Sequence, residues 1–152
     1  MGQYELRKKA LEKIKSIDSN KENYIIIHYA CENFKIGQTI SAIAVRQYED
    51  GQTESFSLNK TAQLLNIDQK NIKENFDCIE KKMLDDFFSY VYQHINNYWI
   101  HWNMSSDNFG FKALEHRYKV LGGTPTIIND SKKINLSHLF VDLFDKGYAK
   151  HP

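Results

Sequence analysis

The segment Tyr24-Ile25-Ile26-Ile27-His28-Tyr29-Ala30-Cys31 decides the fold of this chain. Its three consecutive isoleucines show no alternation of polar and apolar side chains, which predicts a strand buried on both faces in the centre of a sheet. Two further strands, residues 39–48 and 52–58, flank Asp50-Gly51, a dipeptide typical of a tight hairpin turn. The first three strands are therefore predicted to form an antiparallel meander.

Helices are predicted around these strands from the spacing of apolar residues and from capping residues. They cover residues 3–17, 59–75, 78–95, a stretch from Ser106 or Asp107 to about Leu121, and a last helix from its cap at Asn135 to Gly147. The helix over residues 78–95 carries the widest apolar stripe, which is typical of a helix packed on a sheet. The predicted class is therefore α/β, a mixed sheet flanked by helices.

A short second central strand is predicted over residues 98–102. A right-handed crossover through the preceding helix would place it parallel to the first strand and next to it. Open sheets bind ligands beyond the carboxyl ends of such strands. Cys31-Glu32 and Asn103 occupy those ends, so the sequence predicts a polar site there.

Length, charge and cysteine content limit the classes of protein to which the chain can belong. Its 152 residues fit one domain, and 41% of them are hydrophobic, enough for a packed core. Twenty basic residues against 19 acidic ones exclude a polybasic tail, so a nucleic-acid footprint must be a local patch. Two cysteines and the lack of an apolar run near 20 residues favour a cytoplasmic protein with no membrane segment.

Three short motifs occur in a suggestive order along the chain. They are Ala30-Cys31-Glu32, His101-Trp102-Asn103 followed by Asp107, and His138 followed by Asp142. With the predicted sheet, this order resembles the ribonuclease H-like superfamily, and within it the DEDD 3′–5′ exonucleases, over residues 22–146. Glu32 matches the second acid of the first motif, whereas Ala30 stands where the family has Asp.

The resemblance implies metal-dependent phosphodiester hydrolysis. Four carboxylates of the family hold two divalent cations, Mg²⁺ or Mn²⁺, which activate water and stabilise the leaving oxygen. Carried over to this chain, the metal ligands are Glu32, Glu80, Asp107 and Asp142, and the other site residues are Asn103 and His138, with His138 as general base. Proteins of this size also occur in bacterial anti-phage systems, which makes such a role one expectation.

Lys112, His116, Arg117 and Lys119 share one predicted helix and are candidates for contacts with phosphate groups, or form a solvated basic face. The alternative to an enzyme is a catalytically inactive nuclease-like scaffold that binds nucleic acid, a nucleotide or a protein partner. Ala30 in the place of an acid favours that alternative. Several residues also have a structural interpretation, as a turn former, a helix cap, core histidines or core aromatics: Asn103, Asp107, His28, His101, Trp99 and Trp102.

Overall fold

The computed structural model describes residues 1–31 and 39–148 of the chain. The helices are α1 (Gln3–Ser19), α2 (Leu58–Leu64), α3 (Phe76–Gln93), α4 (Phe111–Val120) and α5 (Leu136–Phe144). The strands are β1 (Tyr24–Cys31), β2 (Ile40–Gln47), β3 (Thr53–Ser57), β4 (Tyr98–His101) and β5 (Lys133–Asn135). None of the helices in these two ranges is long and apolar enough to cross a membrane.

The strands form one five-stranded mixed sheet in the order β3-β2-β1-β4-β5. Strand β2 is antiparallel to both β1 and β3, and β4 is parallel to both β1 and β5. In the central pair, Ile26 of β1 lies opposite Ile100 of β4. Both the predicted meander and the predicted parallel pairing of β1 with β4 are confirmed, so their carboxyl ends meet at one edge of the sheet.

The main core lies between one face of the sheet and helix α3. Ile25, Ile27 and Trp99 project from β1 and β4 into this core, where they are packed with Phe87 of α3. Alternate residues of a strand point to opposite faces, so the residues between them face the other side. A smaller cluster with Tyr24 and Ile100 occupies that second face, where α1 packs against α5.

The prediction that β1 is buried on both faces is wrong from Ile26 onward. Ile26, His28 and Ala30 are exposed, because the cluster under α1 and α5 does not extend over this part of the sheet. The isoleucine run therefore combines a buried face with a partly open one. Sequence alone does not distinguish a strand buried on both faces from one buried on a single face when isoleucines occupy both faces.

The structure differs from the sequence prediction at the end of α2, at the start of α4 and at strand β5. Helix α2 ends at Leu64, and the chain then continues through Asn66, whose φ is 57°, into two short 3-10 turns. Helix α4 begins at Phe111, so neither Ser106 nor Asp107 caps it. Strand β5 was not predicted at all. The predicted cap of α5 is confirmed, since the Asn135 side chain accepts a hydrogen bond from the Ser137 amide.

Candidate functional site: a basic crevice beside β4 and β5

A crevice of about 540 Å³ opens beside the carboxyl ends of β4 and β5. Helices α1, α4 and α5 and the loop that follows β4 complete its walls. Parallel strands followed by loops and helices leave such an opening where the loops turn away from the sheet. Its charged and histidine side chains are Lys13, His101, Lys112, Asp130, Lys133, His138 and Asp142. Below, the term crevice refers to this cavity.

The loop after β4 is tied to the start of α5. Asn103 adopts a left-handed backbone conformation, with φ of 52°, which Asn tolerates better than most residues. Its amide donates to Oδ1 of Asn135 at 3.1 Å, the same oxygen that caps α5. Asn103 itself does not line the crevice. The structure therefore gives Asn103 the turn-forming role that was the alternative to a catalytic one.

The far end of the same loop is tied to β1. The amide of Gly110 donates to the hydroxyl oxygen of Tyr29 at 2.8 Å, and Phe109 stacks on the Tyr29 ring with centroids 4.5 Å apart. Burial raises the pKa of Tyr29 to about 12, so its hydroxyl remains protonated at neutral pH. The amide of Phe111 donates to the carbonyl of Met104, which closes the loop on itself. These bonds hold the crevice wall in one position.

His101 ends β4 and lies in the wall of the crevice, with only 4% of the residue exposed. Its Nδ1 accepts a hydrogen bond from the amide of Met104 at 3.1 Å. Burial lowers the pKa of His101 to about 4, and the nearby charges of Lys133 and His138 act in the same direction. His101 is therefore a neutral imidazole at neutral pH. It is packed like a core histidine, yet it belongs to the candidate site.

Lysines dominate the charge of the crevice. Lys133 pairs with Asp130 at 2.9 Å, and this hydrogen bond lowers the pKa of the Asp130 carboxyl. Lys112 pairs with Asp107 at 3.3 Å, and both of these side chains are mostly exposed. An exposed ion pair contributes at most about 1 kcal/mol, so an anionic ligand can compete for such a lysine. The third lysine, Lys13, comes from α1.

Among the predicted catalytic residues and metal ligands, His138 and Asp142 of the third motif lie at the crevice, whereas Asn103, Glu80 and Asp107 do not line it. His138 and Asp142 are one turn apart on α5, and both line the cavity. The Asp107 side chain is 77% exposed and does not line it. Glu32 lies outside the described residues. The structure therefore brings two of the predicted site residues together, on a single helix.

Glu80, a predicted metal ligand, is fully buried on α3 and bound by protein groups. Two nitrogens of Arg117 donate to its carboxylate, at 2.6 to 3.0 Å, and the amide of Ile40 donates to Oε1 at 2.7 Å. The Glu80 carboxylate in turn raises the pKa of Arg117. The sequence assigned these two side chains to a cation and to phosphate, but in the structure they bind each other.

The described residues do not fit the two-cation centre that the resemblance implies. Within residues 1–31 and 39–148, no group of three or more His, Cys, Asp or Glu side chains is arranged to hold a metal ion. The Glu80 carboxylate is bound by Arg117, and Asp107 does not line the crevice that contains Asp142.

The predicted phosphate contacts also separate into two groups. Lys112 lines the crevice, whereas His116 and Lys119 are exposed elsewhere on α4. Lys13 and Lys133 were missed by the sequence prediction. Lys133 belongs to the strand that was not predicted, and Lys13 lies on the first helix, for which no ligand contact was predicted. The only local signal for Lys133 was its position two residues before Asn135, the predicted cap of the last helix.

Comparisons of the chain with protein-family models, with curated proteins and with solved structures found no match.

Proposed function

We propose that this chain is a nuclease-like α/β protein, similar in architecture to the ribonuclease H-like superfamily, that binds nucleic acid through the crevice. The observation that carries the proposal is the convergence of Lys13, Lys112 and Lys133 from three different elements on one cavity beside the parallel strands. Protein cations that neutralise phosphates supply most of the affinity for nucleic acids. The strand order and the order of the three motifs support the architectural likeness.

The crevice offers phosphate groups neutral hydrogen-bond donors as well as cations. Ser105, Ser106 and Asn135 add hydroxyl and amide groups to the three lysines. Two acids, Asp130 and Asp142, line the same cavity, so the local excess is one positive charge before any histidine is protonated. Such a patch is compatible with a net charge of only +1 for the chain.

Binding is preferred to hydrolysis because the predicted carboxylate ligands that lie within residues 1–31 and 39–148 are not assembled into one group. The buried Glu80 is neutralised by Arg117, and Ala30 replaces the first acid of the family motif. A buried charge that is already paired is a poor cation ligand, because the metal would have to displace the arginine.

Replacing Lys112 by Glu should weaken binding of a labelled single-stranded oligonucleotide about tenfold at low salt, because a phosphate contact becomes a repulsion. The magnitude of the slope of log affinity against log salt concentration should decrease by about one. Fluorescence anisotropy with DNA and RNA strands measures both quantities. Lys82→Glu is the matched control, since Lys82 pairs with Asp86 on α3 much as Lys112 pairs with Asp107. Equal weakening by both variants, or no binding by the wild-type protein, would refute the proposal.

Phosphodiester hydrolysis is a second candidate function, favoured by one observation. His138 and Asp142, which match the last motif of the exonucleases, both line the crevice. Hydrolysis requires that a labelled strand is shortened in the presence of Mn²⁺ or Mg²⁺, and that Asp142→Asn abolishes the shortening while Asp86→Asn on α3 does not. An intact strand, together with an unchanged melting temperature at millimolar Mn²⁺, would exclude this candidate.

A further inference from the structure

One polar nitrogen in the crevice wall lacks a protein partner. Nδ1 of His101 is bonded to the amide of Met104, but Nε2 forms no hydrogen bond within residues 1–31 and 39–148. The residue is more than nine-tenths buried, and it lines the cavity. Nε2 is not one of the fully buried atoms without a partner, which within the described residues comprise only Trp99 Nε1, so it is accessible from the crevice and can meet a ligand atom there.

The hydrogen-bond network determines which ring nitrogen carries the proton. An amide N–H can only donate, so Nδ1 must be the acceptor in its bond with Met104. The neutral imidazole therefore carries its proton on Nε2, and the low pKa of His101 keeps this form at neutral pH. His101 thus offers the crevice a fixed, uncharged hydrogen-bond donor.

We propose that His101 Nε2–H donates a hydrogen bond to a phosphoryl oxygen of the ligand bound in the crevice. This inference rests on the proposed function, because Lys112 and Lys133 supply the positive charge that draws a phosphate to the same cavity. A phosphoryl oxygen only accepts hydrogen bonds, so it complements a nitrogen that only donates. The phosphate can belong to a nucleic-acid strand or to a single nucleotide.

The contribution of His101 should differ from that of the lysines in its dependence on salt. Lysine–phosphate contacts release condensed counterions and weaken as the salt concentration rises. A neutral donor releases none, so the factor that it contributes to affinity should be the same at low and high salt. This difference separates a specific donor from the general attraction of the crevice.

His101→Asn removes the donor and keeps an acceptor, because the Asn amide oxygen occupies nearly the position of Nδ1. We expect this variant to bind the labelled oligonucleotide about tenfold more weakly than the wild type at every salt concentration. His101→Gln places an amide N–H near the position of Nε2 and should restore most of the affinity, although it lacks the acceptor for Met104. A purely structural role predicts the opposite ranking, with Gln the more damaging variant.

Nitrogen NMR of the His101 ring tests the same contact directly. In the free protein the signal of Nε2 should be that of a protonated nitrogen, and its proton should shift when oligonucleotide, AMP or inorganic phosphate is added. A shift with AMP shows that one nucleotide suffices, and a shift only with the strand assigns the phosphate to nucleic acid. If the wild type binds and responds to Lys112→Glu while His101→Asn binds equally well, this inference is wrong and the proposed function stands. If the wild type binds none of the three probes, both are wrong.

Discussion

Arg117→Met should lower the free energy of unfolding by about 3–5 kcal/mol, the usual effect of removing one partner of a buried ion pair. The side chain of Arg117 is 12% exposed, and its guanidinium carries the main compensation for the fully buried Glu80 carboxylate. Met keeps the volume of the apolar stem of the arginine, so the loss reports mainly the uncompensated charge. Urea denaturation measures the change, and an unaltered m-value would show that the unfolded state is unaffected.

Two controls separate the buried charge from other effects of this substitution. Adding Glu80→Gln to Arg117→Met should recover much of the lost stability, because the carboxylate is removed and the Gln oxygen can still accept from the amide of Ile40. Arg7→Met changes an exposed arginine on α1 and should alter stability by no more than about 0.5 kcal/mol. A loss for Arg117→Met as small as that for Arg7→Met would show that Glu80 is not compensated by Arg117.

The Glu80–Arg117 pair joins three elements that are distant in sequence. It links α3 to α4, and through the Ile40 amide it also fixes the first residue of β2. A buried carboxylate on the crossover helix therefore has an architectural role in this chain. The sequence shows an acid at that position, but it does not indicate that the arginine 37 residues later binds this acid. For this reason the resemblance, which implies an acid on the crossover helix, led to the prediction that Glu80 is a metal ligand.

The sheet was predictable where the sequence carries strong local signals. The isoleucine run located β1, and Asp50-Gly51 located the turn between β2 and β3. The parallel pairing of β4 with β1 followed from the general rule for crossovers, which does not depend on side-chain detail. The prediction of these features requires only short-range sequence patterns and the connectivity of the chain.

The composition of the crevice was not predictable, because it depends on contacts between remote segments. Strand β5 has three residues, too few to show a period, so the position of Lys133 could not be inferred. Lys13 reaches the crevice only because α1 packs against α5 near the end of the chain.

Trp102 was interpreted as a core residue like Trp99, but it is 42% exposed and packs on Phe140. A tryptophan after a buried strand is equally consistent with both positions.

Gly110→Ala should be the most damaging single-methyl substitution in the crevice wall. The φ and ψ of Gly110, 152° and −161°, lie in a region that is essentially restricted to glycine, and a Cβ there would overlap the carbonyl of Met104. Backbone strain and overpacking, about 1–3 kcal/mol each, together predict a loss of about 2–6 kcal/mol in the free energy of unfolding. Urea denaturation again measures this loss.

The control for this substitution is Gly122→Ala. Gly122 also has a positive φ, 89°, but a Cβ at that position would meet nothing within 4 Å. Its expected loss is about 1–2 kcal/mol, from the left-handed backbone conformation alone. Gly110→Ala should in addition displace Met104, whose amide bonds to His101, and so shift the ring signals of His101 and weaken oligonucleotide binding. Equal stability of the two variants, with an unchanged His101 spectrum, would mean that the loop yields without strain. In that case the loop would not hold the imidazole in position, and the orientation of His101 would have to come from its packing against Phe111.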